Sequence, residues 1–157
     1  MNARKLSLIA LLVLIVGAMA FPTLAADKTK TVTVTLSETD INSSYRVTNP
    51  ARRSVTNVNV DLQPGQVVIS ATFTAPKTSP IDVSATLTPT LSNGRVTWSV
   101  LSATANGQPA SADLLAQINA SISSSWRNYW KSKHPGYVTS LTVTDDNITW
   151  TKVYGSV

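Results

Sequence analysis

The 157-residue chain has no cysteine and a single histidine, His134. The first absence rules out a disulfide framework and a lipid anchor on cysteine, so stability must come from packing and strand pairing. The second comes with no Gly-x-Ser-x-Gly elbow, no paired-histidine motif and no phosphate-cradling glycine loop, which leaves no recognisable catalytic set. A lone histidine at a helix end, here beside Pro135, more often complements the helix dipole than catalyses. Charge is also sparse. Beyond the first 26 residues the only adjacent basic pair is Arg52-Arg53, too thin a basic face for a nucleic-acid partner. Asp145-Asp146-Asn147 lacks the further oxygen ligands of a calcium loop and reads as a hairpin turn, so no metal or cofactor is expected.

Long apolar runs are missing except at the start. Arg4 and Lys5 precede the apolar stretch Leu6 to Ala20, and Phe21-Pro22-Thr23-Leu24-Ala25 leads to small residues before Asp27. This is the pattern of a secretory signal peptide, residues 1–26, cleaved after Ala25 or Ala26. The alternative is a retained anchor helix, but the run ends at Pro22, short of the roughly 20 residues of a span. Cleavage leaves about 130 residues, enough for one domain over 27–157. The net charge of +5 then falls to +3, with 11 basic against 8 acidic residues. The expected location is outside the cytoplasm, extracellular or in the cell envelope.

What the chain does have is alternation. Thr31 to Leu36 alternates Thr with apolar residues, the period of a half-buried strand. Ser37 then caps a short helix, with Glu38 and Asp40 in its first turn and Ile41 and Tyr45 on one face. Val58-Val60-Leu62, Val67-Ile69-Ala71-Phe73, Ile81-Val83-Ala85-Leu87 and Val96-Trp98-Val100 are further apolar faces. Pro64-Gly65 and Asn93-Gly94 are the turns between them. From Ser111 to His134 the period changes. Leu114, Leu115, Ile118, Ile122, Trp126, Tyr129 and Trp130 recur at helical spacing until Pro135-Gly136. Tyr137 to Thr144 and Ile148 to Val153 form a closing hairpin. The expected fold is α+β: a curved, mainly antiparallel sheet of about seven strands packed around one long helix in the C-terminal half, plus one short N-terminal helix.

Two candidate sites emerge. Phe73, Trp98, Leu114, Ile118, Ile122, Trp126 and Trp130 share the apolar faces of sheet and helix, and small residues (Ala116, Ala120, Ser121 to Ser125) occupy the helix middle. The bland reading is core. The sharper one is a cavity between helix and sheet for a lipid or another small apolar ligand. At the helix end, Arg127, Tyr129, Lys131 and Lys133 combine aromatic and cationic groups. They either cap the core and favour the helix C-terminus or touch a lipid headgroup surface.

The order of elements also resembles the small exported bacterial proteins related to the tubular lipid-binding superfamily. The resemblance rests on Leu36-Ser37-Glu38-Thr39-Asp40-Ile41-Asn42, on Val58 to Leu62 through Pro64-Gly65 into Val67-Val68-Ile69, and on Asn93 to Trp98. Ala105 to Ser111 entering the helix and Val143 to Trp150 complete it. It implies a long curved sheet gripping a helix, an apolar groove for a lipid, and no shared catalytic residues. The functional expectation is thus an exported, non-catalytic domain that binds a lipid or apolar ligand between helix and sheet and makes peripheral membrane contact. The alternative is a cell-surface structural or protein-interaction module with a solid core.

Overall fold

The computed structural model describes residues 29–48, 53–133 and 136–154. The chain divides into two compact units, 1–30 with 154–157, and 31–153. The second unit carries the helices, the core and all but the end residues of the sheets. The expected signal peptide, Arg52 and the His134-Pro135 pair lie outside the described residues.

The elements are β1 (Lys30–Ser37), α1 (Glu38–Ser44), β2 (Ser54–Gln63), β3 (Gln66–Thr74), β4 (Ile81–Ser92), β5 (Arg95–Ala105) and β6 (Gln108–Pro109). The long helix α2 follows, from Ala112–Ile118 through a π-helical segment, Asn119–Ser123, to Ser124–Lys133. Then come β7 (Tyr137–Val143) and β8 (Asn147–Tyr154). The α+β class, the antiparallel pairing, the long helix and the short early helix agree with the sequence. The single curved sheet of about seven strands does not. Among the described residues, eight strands form two sheets, one of three strands in the order β1-β8-β7 and one of five in the order β2-β3-β4-β5-β6.

The reason lies in α1. Ser37 caps it, its hydroxyl accepting from the Asp40 N–H at 3.1 Å. The helix then turns the chain away from β1 and takes over the edge of β2. Asn42 uses both ends of its amide, Nδ2 donating to Val60 O and Oδ1 accepting from Val60 N–H, each at 2.8 Å. Glu38 Oε2 accepts from Leu62 N–H at 2.8 Å. With those backbone groups occupied, β1 cannot pair with β2 and joins β8 instead. The Thr33–Thr151 and Thr35–Thr149 hydroxyl contacts, at 3.2 and 3.3 Å, mark that pairing.

The small sheet is tied to the large one through two hairpin turns. Gly65 N–H donates to Val143 O at 3.1 Å, and Val138 N–H to Gly94 O at 3.0 Å. Gly94 has φ of +74°, and any Cβ there would collide with the Tyr137 ring. Glycine is therefore required by backbone and by space at once.

The core is one cluster. Val60, Leu62, Val67, Ile69, Ala71, Phe73, Val83, Ala85 and Leu87 come from the large sheet, and Val138, Val143, Ile148 and Trp150 from the small one. Ile118, Ile122, Trp126 and Trp130 come from α2. Those four lie at steps of four residues. In an α-helix each such step overshoots a full turn by about 40°. The wider π segment takes back part of that drift and keeps them on one stripe. Its Ile122 carbonyl accepts from the buried Tyr45 hydroxyl at 2.9 Å. The small helix residues do not line an empty space: Ala116 and Ala120 face solvent, and the serines are packed in. Ser121, Ser123 and Ser125 are buried, and Ser125 Oγ accepts from Thr48 N–H at 3.0 Å.

Candidate binding groove between helix α2 and strand β5

The apolar residues expected to line a ligand cavity are the core itself. Phe73, Trp98, Ile118, Ile122, Trp126 and Trp130 are at most 2% exposed, and Leu114 is half-buried against them. The tryptophans fill the interior by edge-on contact. Ring centroids are 5.3 Å apart for Trp98–Trp126, 5.5 Å for Trp98–Trp130 and 4.9 Å for Trp130–Trp150. Tyr45 packs edge-on against Trp126 at 5.6 Å. Such geometry sets the positive edge of one ring on the negative face of the next. Among the described residues, the indole nitrogens of Trp98, Trp126 and Trp150 are buried without a hydrogen-bond acceptor. Ring faces are the partners that such packing offers an N–H.

Phe73 is not near this cluster. Trp98 pairs with Pro89 across β4–β5, whereas Phe73 pairs with Ile81, eight residues back along β4. At about 3.3 Å per residue, that is roughly 26 Å.

The helix-end residues separate into two pairs. Arg127 and Lys131 face β5, where Arg127 Nε donates to Trp98 O at 3.1 Å. Tyr129 and Lys133 lie on the opposite flank. Tyr129 shares a 2.8 Å hydroxyl contact with Ser44, and the Lys133 ammonium sits 5.4 Å from the Tyr129 ring centre. The four do not make one continuous headgroup-facing patch, because positions two apart on a helix point to opposite sides.

Arg127 and Lys131 instead rim a cavity of about 250 Å³, with Val96, Thr97, Trp98 and Trp130 as its other walls. Strand β5 supplies Val96 and Trp98 on one face, and α2 supplies Trp130, Arg127 and Lys131 at helical spacing. Lys131 is exposed, so the groove reaches solvent. Its volume is just under the roughly 300–1,000 Å³ of small-molecule sites. Its floor is aromatic and aliphatic, and its charges are all positive. Only one nitrogen of Arg127 is committed to Trp98, which leaves guanidinium donors for an anion. The arrangement can hold an apolar group that carries a carboxylate or phosphate at one end.

Sequence reasoning named Trp98, Trp130, Arg127 and Lys131 but split them between two sites. It missed Val96 and Thr97 as walls, although the alternation that put Val96 on the Trp98 face was the available signal. It also left Tyr45 without a role. Burial pushes that phenol well above its ordinary value, and the hydroxyl pins the π segment.

No protein family, curated protein or solved structure matches the chain. Among the described residues, no group of three or more His, Cys, Asp or Glu side chains could hold a metal ion, and no helix is long and apolar enough to cross a membrane.

Proposed function

We propose that the chain is an exported, non-catalytic binding domain whose ligand is an apolar molecule with an anionic end, seated in the groove between α2 and β5. The observation that carries this reading is the Trp98–Trp130 floor beneath the Arg127–Lys131 rim. The resemblance to tubular lipid-binding proteins belongs to the same reading, with a change of place. A filled aromatic core leaves the ligand at the helix–sheet seam, not between the layers. The groove accepts a headgroup and the first part of a chain, not a whole lipid. Export rests on the leader-like residues 1–26.

The test is titration of the protein with octanoate, followed by tryptophan fluorescence. A saturable change is expected, weakened about tenfold by Arg127→Ala and less by Lys131→Ala, since the guanidinium is the better-fixed cation. Octanol, with the same chain and no charge, should bind more weakly than octanoate. No saturable change with octanoate would remove this reading.

A second reading, an interaction module with a solid core, is favoured by the complete burial of Trp126, Trp130 and Trp150. In that case the groove takes a side chain of a protein partner, and free octanoate gives no response.

A further inference from the structure

Three of the four sheet edges are blocked by devices that proteins use against unwanted pairing. The β2 edge carries Asn42 and Glu38 from α1, and also a bulge at Asn57, where φ is +53°. The far edge of the large sheet is the two-residue β6, which carries Pro109, and beyond β6 Arg127 covers the Trp98 carbonyl of β5. The β7 edge is held by the Gly65 and Gly94 turns. The outer edge of β1 has none of these. It is the terminal strand of its sheet, and among the described residues no backbone hydrogen bond joins that edge to another element. From Thr31 to Ser37 it has no proline, no charge and no positive φ.

Its sequence is also self-complementary. Thr31-Val32-Thr33-Val34-Thr35 reads the same in both directions. Two antiparallel copies centred on Thr33 therefore match type with type: Thr33 with the partner's Thr33, Val32 with the partner's Val34, and Thr31 with the partner's Thr35. A one-residue-centred antiparallel pair also keeps both sets of threonines on one face. That face already carries two hydroxyl rows across the sheet, Thr33–Thr151–Ser140 and Thr35–Thr149–Thr142. A second copy would continue these rows with the Thr–Thr contacts β1 already makes to β8. We infer that β1 pairs with β1 of a second copy of this chain about a twofold axis at Thr33, joining two three-stranded sheets into one of six strands. Such an interface is isologous, and so closes as a dimer.

The measurement is sedimentation of the purified full chain across a concentration series, for the wild type and two variants. The wild type should dimerise. Thr33→Lys sets like charges opposite each other and should weaken the dimer by about tenfold or more, as should Thr33→Glu. Mixed in equal amounts, the two variants should associate again. A monomeric wild type, or a dimer indifferent to both charges, overturns the proposal. Where a charged variant fails to fold, cysteine variants decide, because the chain has no other thiol. With a short thiol crosslinker, Thr33→Cys should link to itself, whereas Thr31→Cys should link to Thr35→Cys and not to itself. Self-linking of Thr31→Cys as efficient as that of Thr33→Cys would place the interface elsewhere.

Discussion

Tyr45 shows how much one side chain can settle. It follows α1, packs edge-on against Trp126 and Tyr129, and spends its only donor on the π-segment carbonyl of Ile122. Removing the hydroxyl deletes one buried hydrogen bond, at about 0.5–1.5 kcal/mol. Tyr45→Phe should therefore lower stability by that amount in denaturant melts at neutral pH. The phenol adds a pH dependence of known sign. Burial raises its pKa in the folded state above about 10, the unfolded value. Between those two values the folded state binds more protons than the unfolded state, so stability falls as pH rises. The contribution is intact below about pH 10 and is lost progressively above it. Other groups titrate in the same range. The diagnostic is thus the difference between wild type and Tyr45→Phe, which should shrink from about pH 8 to about pH 11. An unchanged difference would show that the ring does not need its proton to stay buried.

At the scale of elements, α1 decides the topology. Its Asn42 amide takes the place of a neighbouring strand along β2. Asn42→Ala removes three hydrogen bonds, two to Val60 and one to the Glu38 carbonyl, of about 0.5–1.5 kcal/mol each, and re-exposes the edge. The expected result is a loss of about 2 kcal/mol in denaturant melts, together with aggregation at protein concentrations the wild type tolerates. Val60→Ala, a core truncation nearby, should cost stability without the same aggregation. This is also where the sequence stops being readable. Alternation located seven strands and helical spacing located α2, because burial imposes those periods on any partner arrangement. Alternation says nothing about which strand lies beside which. The pairing of β1 with the distant β8 depends on Asn42 reaching a particular backbone unit, and a polar residue inside a short helix carries no mark of that. The same limit applies to the groove. Trp98, Trp130, Arg127 and Lys131 were legible as individual residues, but their meeting depends on the tilt of α2 over β5. The small serines misled for a related reason. A short side chain permits either an empty space or a close approach, and here the 45–48 segment closes in.

At the scale of the whole chain, the question is whether its basic character is global or local. Of the net +5, two charges belong to Arg4 and Lys5, in the leader-like stretch. If residues 1–26 are removed on export, the remaining +3 is too dilute for long-range attraction beyond a screening length of about 8 Å. Anion recognition would then depend on Arg127 and Lys131, close together over an apolar floor, and not on the field of the molecule. Processing and binding thus lead to linked expectations. The protein recovered outside the cytoplasm should begin at Ala26 or Asp27, as read by intact mass and N-terminal sequencing. A full-length mass, recovered with the membrane fraction, would instead establish an uncleaved anchor. In the processed form, octanoate binding should weaken only modestly between low and physiological salt, because the partly buried Arg127 is screened less than a surface charge. A steep loss with salt would point to diffuse charge, and would remove the groove as the seat of recognition.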